Sequence, residues 1–149
     1  MDIRIAAYAV IIRDGKILLA HWNEHGRSGW TLPGGGIEGP EHPIEAVRRE
    51  VREETGYEAS VDRQLGIDTM VIPAARRHTG RAPLYALRVL YRAHVIGGDL
   101  RSEIDGSSDE ARWFPLDEVS GLKRVSLVDI GLGLDSDEPA DGVPAGKRS

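Results

Sequence analysis

Glu50, Glu53 and Glu54 are the residues whose type and spacing first suggest chemistry. From Pro43 to Thr55, apolar Ile44, Val47 and Val51 recur at i, i+3 and i+7, the period of a helix, and Gly56 follows as its C-cap. At about 100° per residue, the three glutamates share an arc of roughly 100° at the edge of that apolar stripe. Glu50 and Glu54 repel as an i,i+4 pair, and Glu53 and Glu54 lie in the last turn, where the macrodipole disfavours carboxylates. A hard divalent cation would reverse the sign of each effect, because Mg2+ takes oxygen ligands and keeps waters and sites for phosphate. The competing reading is a solvated charged face neutralised by Arg48, Arg49 and Arg52. Arg48 and Arg52 lie with Glu45 on the other side of the stripe, so they cannot all serve that flank. Helix geometry alone leaves both readings open.

The elements that must position these residues follow from local signals. Ile3 to Ile12, then Asp14-Gly15, then Lys16 to Trp22 predicts a strand, a tight turn and a second strand. Residues 23–29 (NEHGRSG) read as a polar loop, and Trp30-Thr31-Leu32 as a short extended piece stopped by Pro33 and three glycines, where a tight turn is expected. Long strands are predicted over about residues 58–72 and 84–96, paired with each other across an arginine-rich loop. A further strand is expected at ARWF (residues 111–114), and a final helix, weakened by two glycines, within residues 116–134. Strands in runs, interrupted by helices, fit an α+β or α/β sandwich. The polar, Pro- and Gly-bearing stretch at residues 135–149 reads as a disordered tail after a domain spanning residues 1–134.

Composition narrows the function classes. A length of 149 residues with 40% hydrophobic and 29% charged residues is the size and make-up of one globular domain. The net charge of −5 gives no basic field to hold a polymeric nucleic acid. The absence of cysteine excludes disulfides, thiolate metal sites and Cys nucleophiles. The apolar run near the start is broken by Asp2 and Arg4, too short to span a membrane and unlike a signal peptide, so a cytoplasmic protein is expected.

The spacing within residues 35–57 decides more than the helix wheel. Gly35, five residues, Glu41, seven residues, then Arg49-Glu50-Val51-Arg52-Glu53-Glu54-Thr55-Gly56-Tyr57 matches every fixed position of the Nudix box, Gly-x5-Glu-x7-Arg-Glu-U-x-Glu-Glu-x-Gly-U. Seven such identities arise by chance about once in 10⁸ starting points. The one departure is Tyr57, at a packing position usually held by a bulky aliphatic. The DG turn, the Trp30 to Gly35 lead-in and the later Glu110-Ala-Arg-Trp-Phe-Pro-Leu-Asp-Glu run are also similar to the Nudix hydrolases, so the resemblance covers about residues 3–134.

This resemblance implies an α/β/α sandwich with a mixed central sheet, the box forming a loop-helix-loop. It also implies hydrolysis of a pyrophosphate bond in a nucleoside diphosphate linked to another moiety, with Mg2+ or Mn2+. Carried onto this chain, Glu50, Glu53 and Glu54 resemble the metal-binding carboxylates, with the Gly34 carbonyl as a further ligand. Arg49 resembles the residue that orients Glu50 and Glu53, and Glu41 an outer carboxylate. The candidates for general base are Glu50, Glu103 and Glu110. The expected partner is a small nucleotide, of the nucleotide-sugar or ADP-ribose type or an oxidised nucleoside triphosphate, and no membrane. The alternative is a non-catalytic sensor that binds a nucleotide on the same fold. The box carboxylates are all present, which favours catalysis.

Substrate contacts are read less directly. Arg76, Arg77 and Arg81 concentrate guanidinium forks in one loop of an acidic chain, which suits phosphate, although an ordinary solvated loop has the same composition. Trp22, Trp30 and Tyr85 could stack on a base, against the commoner role of core packing. His21, His42 and His94 carry no site signal. The sequence fixes neither the nucleotide nor whether the chain acts alone or as a homodimer.

Overall fold

Asp14 and Gly15 both adopt positive φ, 52° and 75°, the conformation of the two-residue hairpin turn that a DG pair favours. In the computed structural model, which describes residues 1–24, 26–77, 82–101 and 108–137, this turn joins β1 (Asp2–Arg13) to β2 (Lys16–Glu24). The two strands pair only at Ile12↔Ile17 and Arg13↔Lys16 before diverging. β2 continues against β3 (Arg27–Thr31) and β7 (Ser108–Pro115), while β1 runs parallel to β6 (Leu84–Gly98) and antiparallel to β4 (Gly34–Gly36). β5 (Tyr57–Ile72) pairs antiparallel with β6, as expected, and closes a mixed sheet of order β3-β2-β1-β6-β5.

Two helices cover opposite faces. Alternation along β1 sends Ala7, Ala9 and Ile11 to the side of α1 (Pro43–Thr55), where they pack with Val47, Val51, Val89 and Tyr91. Val10 and, from the adjacent strands, Leu19 and Leu90 face α2 (Ser126–Asp137) and pack on Leu127, Val128 and Leu134. The result is the expected α/β/α sandwich with a mixed sheet.

Three elements differ from the sequence reading. The polar run at residues 23–29 is not simply a loop: from Arg27 the chain returns as β3, and Trp30 packs edge-on against Phe114 at 4.6 Å and His21 at 4.9 Å. The three glycines do not reverse the chain. They form β4, pressed so closely on β1 that a Cβ on Gly34 (φ +151°) would lie 2.3 Å from the Ala7 carbonyl oxygen. The final helix runs on to Asp137, past the expected domain end at residue 134. Arg92 Nη1 donates to both oxygens of Asp135 at 2.8 Å and so ties that last turn to the sheet. The remainder of the expected tail, residues 138–149, lies outside the described residues.

Candidate active site

α1 starts and stops where its sequence dictates. The Ile44 N–H donates to His42 Nδ1 at 3.0 Å, the His42 N–H donates to Glu45 Oε1 at 3.0 Å, and Pro43 supplies a preset φ at the first helical position. Gly56 ends the helix at φ 83° and donates its N–H to the Arg52 carbonyl at 2.9 Å. His42, silent as a site signal, is therefore the N-cap.

The buried face of this helix is Ala46, Val47, Val51, Glu54 and Thr55, whereas Ile44 is 37% exposed. This corrects the apolar stripe proposed from the sequence. The face in contact is rotated away from Ile44 and toward Ala46. Glu54 consequently lies within the buried face, 6% exposed, and not at its edge. A carboxylate there requires hydrogen bonding. Glu54 Oε1 accepts the Gly34 N–H at 2.7 Å.

β4 makes that contact available. Ala9 donates to the Pro33 carbonyl and Ile37 to the Ile5 carbonyl, so in this antiparallel register the amide groups of Gly34 and Gly36 turn away from β1. The Gly34 N–H meets Glu54, and the Gly36 carbonyl accepts Arg49 Nη2 at 3.1 Å. The Gly34 carbonyl is on the same, outward edge. Gly35 carries the Glu50 carboxylate against its backbone: a Cβ there would meet Glu50 Cδ and Oε1 at 2.8 Å.

Arg49 binds the cluster together. Its Nε and Nη2 fork onto Glu41 at 2.8 and 3.0 Å, and Nη1 bridges Glu50 Oε1 at 3.0 Å and Glu53 Oε2 at 3.2 Å. These contacts, Glu41 foremost, raise the Arg49 pKa above the ordinary guanidinium value. The same fork, with the Glu38 N–H donating at 3.0 Å, holds the Glu41 carboxyl below its usual range. Three carboxylates, Glu41, Glu50 and Glu53, thus gather around one guanidinium, while Glu54 is held separately by the Gly34 N–H.

Glu50, Glu53, Glu54 and Gly34 to Gly36 line a cleft of about 620 Å³. Its other walls include Arg4 and Arg88, neither of which was singled out from the sequence, and α2 opens on it with Ser126 and Leu127, bringing the positive end of a helix dipole. Through Trp22, Glu24 and Met70 the cleft adjoins a second hollow of about 690 Å³, bordered by Arg27, Arg76 and Arg77. Arg76 and Arg77 therefore lie away from the carboxylates. Arg77 is already engaged, its Nη1 donating to Asp2 Oδ2 and to the Ala82 carbonyl, both at 2.6 Å. Arg81 and the base candidate Glu103 fall outside the described residues. Glu110 does not line the cleft and is ion-paired with Arg112.

The donor set suits a hard divalent ion. Every side-chain donor is a carboxylate oxygen, and the cluster is richer in negative than in positive charge. Among the described residues, no three His, Asp or Glu side chains converge tightly enough to cage an ion by themselves. Mg2+ ordinarily keeps several waters and uses one or two carboxylates with substrate phosphates. The open cleft provides space for both.

The chain is similar to known proteins over most of its length. The model of the NUDIX domain matches residues 2–130. The chain is 33% identical over 119 residues to an ADP-ribose pyrophosphatase of Methanocaldococcus jannaschii, covering 79% of this chain and 65% of that one. It is 35% identical over 126 residues to an RNA pyrophosphohydrolase of Acidiphilium cryptum, covering 76% of each. It spans 39% of the length of another curated relative. A solved NUDIX hydrolase from Nitrosomonas europaea superposes with a TM-score of 0.77 at 25% identity, over 98% of this chain and 95% of that one. Among the described residues, no helix is long and apolar enough to cross a membrane.

Proposed function

This chain belongs to the NUDIX domain family, and from that premise we propose that it is a divalent-metal-dependent pyrophosphohydrolase of a nucleoside diphosphate linked to another moiety. One observation carries the reading: the carboxylates gathered by Arg49 open onto a cleft whose other walls carry Arg4 and Arg88. Acidic and cationic walls together suit a metal-bound diphosphate. Glu50, Glu53 and Glu54, with the Gly34 carbonyl, would hold Mg2+ or Mn2+. When bound, the ion screens charge developing on phosphate oxygens and acidifies the attacking water.

The chain's own residues do the positioning. Arg49 fixes Glu50 and Glu53 through one shared nitrogen, and the Gly34 N–H fixes Glu54. Fixed carboxylates need no reorganisation during reaction. Glu50, laid flat on Gly35 in the cleft wall, is the base we assign to the water proton. The adjoining hollow with Arg27 and Arg76 gives the groove two compartments, which favours a two-ended substrate of the ADP-ribose or nucleotide-sugar type. The name of the M. jannaschii relative supports the same class. The net charge of −5 disfavours a long RNA, the substrate named for the A. cryptum relative.

The test is a panel of ADP-ribose, UDP-sugars and oxidised nucleoside triphosphates assayed with Mg2+ and again in excess chelator. Cleavage of a diphosphate bond that disappears in chelator is expected. Turnover indifferent to chelator, or tight binding of a panel member without cleavage of any, would overturn the reading, the latter in favour of a sensor.

A further inference from the structure

Arg88 and Asp68 face each other across β6 and β5, in direct register, and Arg88 Nη2 donates to Asp68 Oδ2. Asp68 is fully buried and Arg88 is 9% exposed. A pair this deep is an expensive way to join two strands: desolvation offsets most of the attraction, and apolar residues in the same positions commonly serve stability as well or better. The pair is explained by where the arginine stands. Arg88 lines the same cleft as Glu50, Glu53 and Glu54. Nη2 is the atom given to Asp68 and Nε is enclosed without an acceptor among the described residues, so Nη1 is the nitrogen left to serve the cleft.

The sheet geometry adds a second cation. β1 and β6 are parallel with Ala6 opposite Arg88 and Arg4 opposite Ala86, so Arg4 and Arg88 project from one face of adjacent strands, two residues apart. Arg4 also lines the cleft, and its guanidinium approaches the Gly36 edge of β4, where Nη2 would lie 3.6 Å from an added Cβ. Guanidinium forks match the oxygens of a diphosphate, and a guanidinium anchored from behind loses less side-chain freedom on binding.

We infer that Arg88, aimed by the buried carboxylate of Asp68, binds a diphosphate oxygen of the substrate on the sheet wall of the cleft, with Arg4 as its exposed auxiliary. Arg88 touches the ligand; Asp68 is a positioning residue. The inference rests on the pyrophosphohydrolase reading for the class of ligand. Its test therefore uses a probe whose binding does not require turnover.

Imidodiphosphate, whose P–N–P bridge mimics a diphosphate, is titrated calorimetrically into the Mg2+-supplied parent, Asp68→Asn, Arg88→Lys and the double variant Arg88→Gln/Asp68→Asn. The double variant leaves no buried carboxylate unpaired and keeps a neutral hydrogen-bonding pair, and Arg88→Lys keeps the charge should the double variant fail to fold. A tenfold or greater loss of imidodiphosphate affinity is expected in the double variant, and several-fold losses in the two single variants. Mg2+ affinity, read from melts without the probe, should be unchanged, and KM should rise more than kcat falls. Parent-like imidodiphosphate affinity in a folded double variant or in Arg88→Lys, or no binding by the parent, would overturn the inference. Arg88-dependent binding by a parent that cleaves nothing would uphold it while removing the hydrolase reading.

Discussion

Around Arg49, one guanidinium serves Glu41, Glu50, Glu53 and the Gly36 carbonyl. Around Asp135, the proportions are reversed: one carboxylate receives Arg92 through both oxygens at 2.8 Å and Arg63 at 3.5 Å. Both clusters sit at or near the C-terminal end of a helix, where a macrodipole disfavours carboxylates. At the end of α2 the sheet answers that charge with two arginines, and the cluster acts as a clamp. At the end of α1 the acids outnumber their arginine, and the cluster faces a cleft. The same two residue types thus hold a helix in place when cations are in excess and leave a demand for a further cation when acids are.

The strongest way to break this comparison is Glu54→Gln. Glutamine keeps an oxygen for the Gly34 N–H but removes the charge and its i,i+4 repulsion with Glu50. Activity should fall by on the order of 10²-fold or more, the scale set by losing one group of a preorganised electrostatic site. The melting temperature in chelator should equal or exceed the parent's, and most of the stabilisation by added Mg2+ should vanish. A clear drop of the melting temperature in chelator would make Glu54 a clamp residue like Asp135.

Asp135→Asn should do the reverse, costing about 1.5–3 kcal/mol, the range for hydrogen bonds to charged groups, with kcat/KM unchanged. Denaturant unfolding and a steady-state assay read both halves. Loss of activity at undiminished stability would move Asp135 out of the structural class.

The smallest effect expected is a pH dependence in Glu41→Gln. Arg49 and the Glu38 N–H lower the Glu41 pKa in the folded chain below its ordinary 4.5. A group depressed by folding stabilises above its unfolded value, and that contribution is lost as pH falls through the folded one. The parent should therefore exceed the variant in melting temperature at neutral pH, and the gap should narrow as pH drops below that ordinary value. A gap constant down the acid limb would show that the Arg49 fork does not depend on the Glu41 charge.

The helix at residues 43–55 was legible because Pro43, the apolar period and Gly56 act within a few residues of one another. The box spacing likewise marked Arg49 and its glutamates, which one helical turn brings together. Periodicity could not tell which side of that helix meets the sheet, so Ile44 was assigned inward and Glu54 to the edge, the opposite of their exposures. Arg88 and Asp68 are 20 residues apart, and their pairing depends on a β5–β6 register that shifts at three irregularities. No local pattern carries that register. Arg4 was noted only as a charge interrupting an apolar run, because its place beside β4 depends on three glycines lying flat along β1.

The parallel pairing of β1 with β6 also bears on how the chain is made. Asp2 to Ile11 find their partners in Leu84 to Ala93, and β5 has β6 as its strand neighbour. A ribosome therefore releases β1, α1 and β5 before it has synthesised the strand that joins them. Until residue 98 emerges, the apolar faces of β1 and β5 have no shared sheet on which to align. The hairpin at Asp14-Gly15 can form early, because its strands are contiguous, but the centre of the sheet cannot. Loop closure across some eighty residues must precede the contacts that reward it, which places the assembly among the slower, non-local topologies. For this nascent chain, β6 is the segment whose arrival converts separate pieces into one sheet.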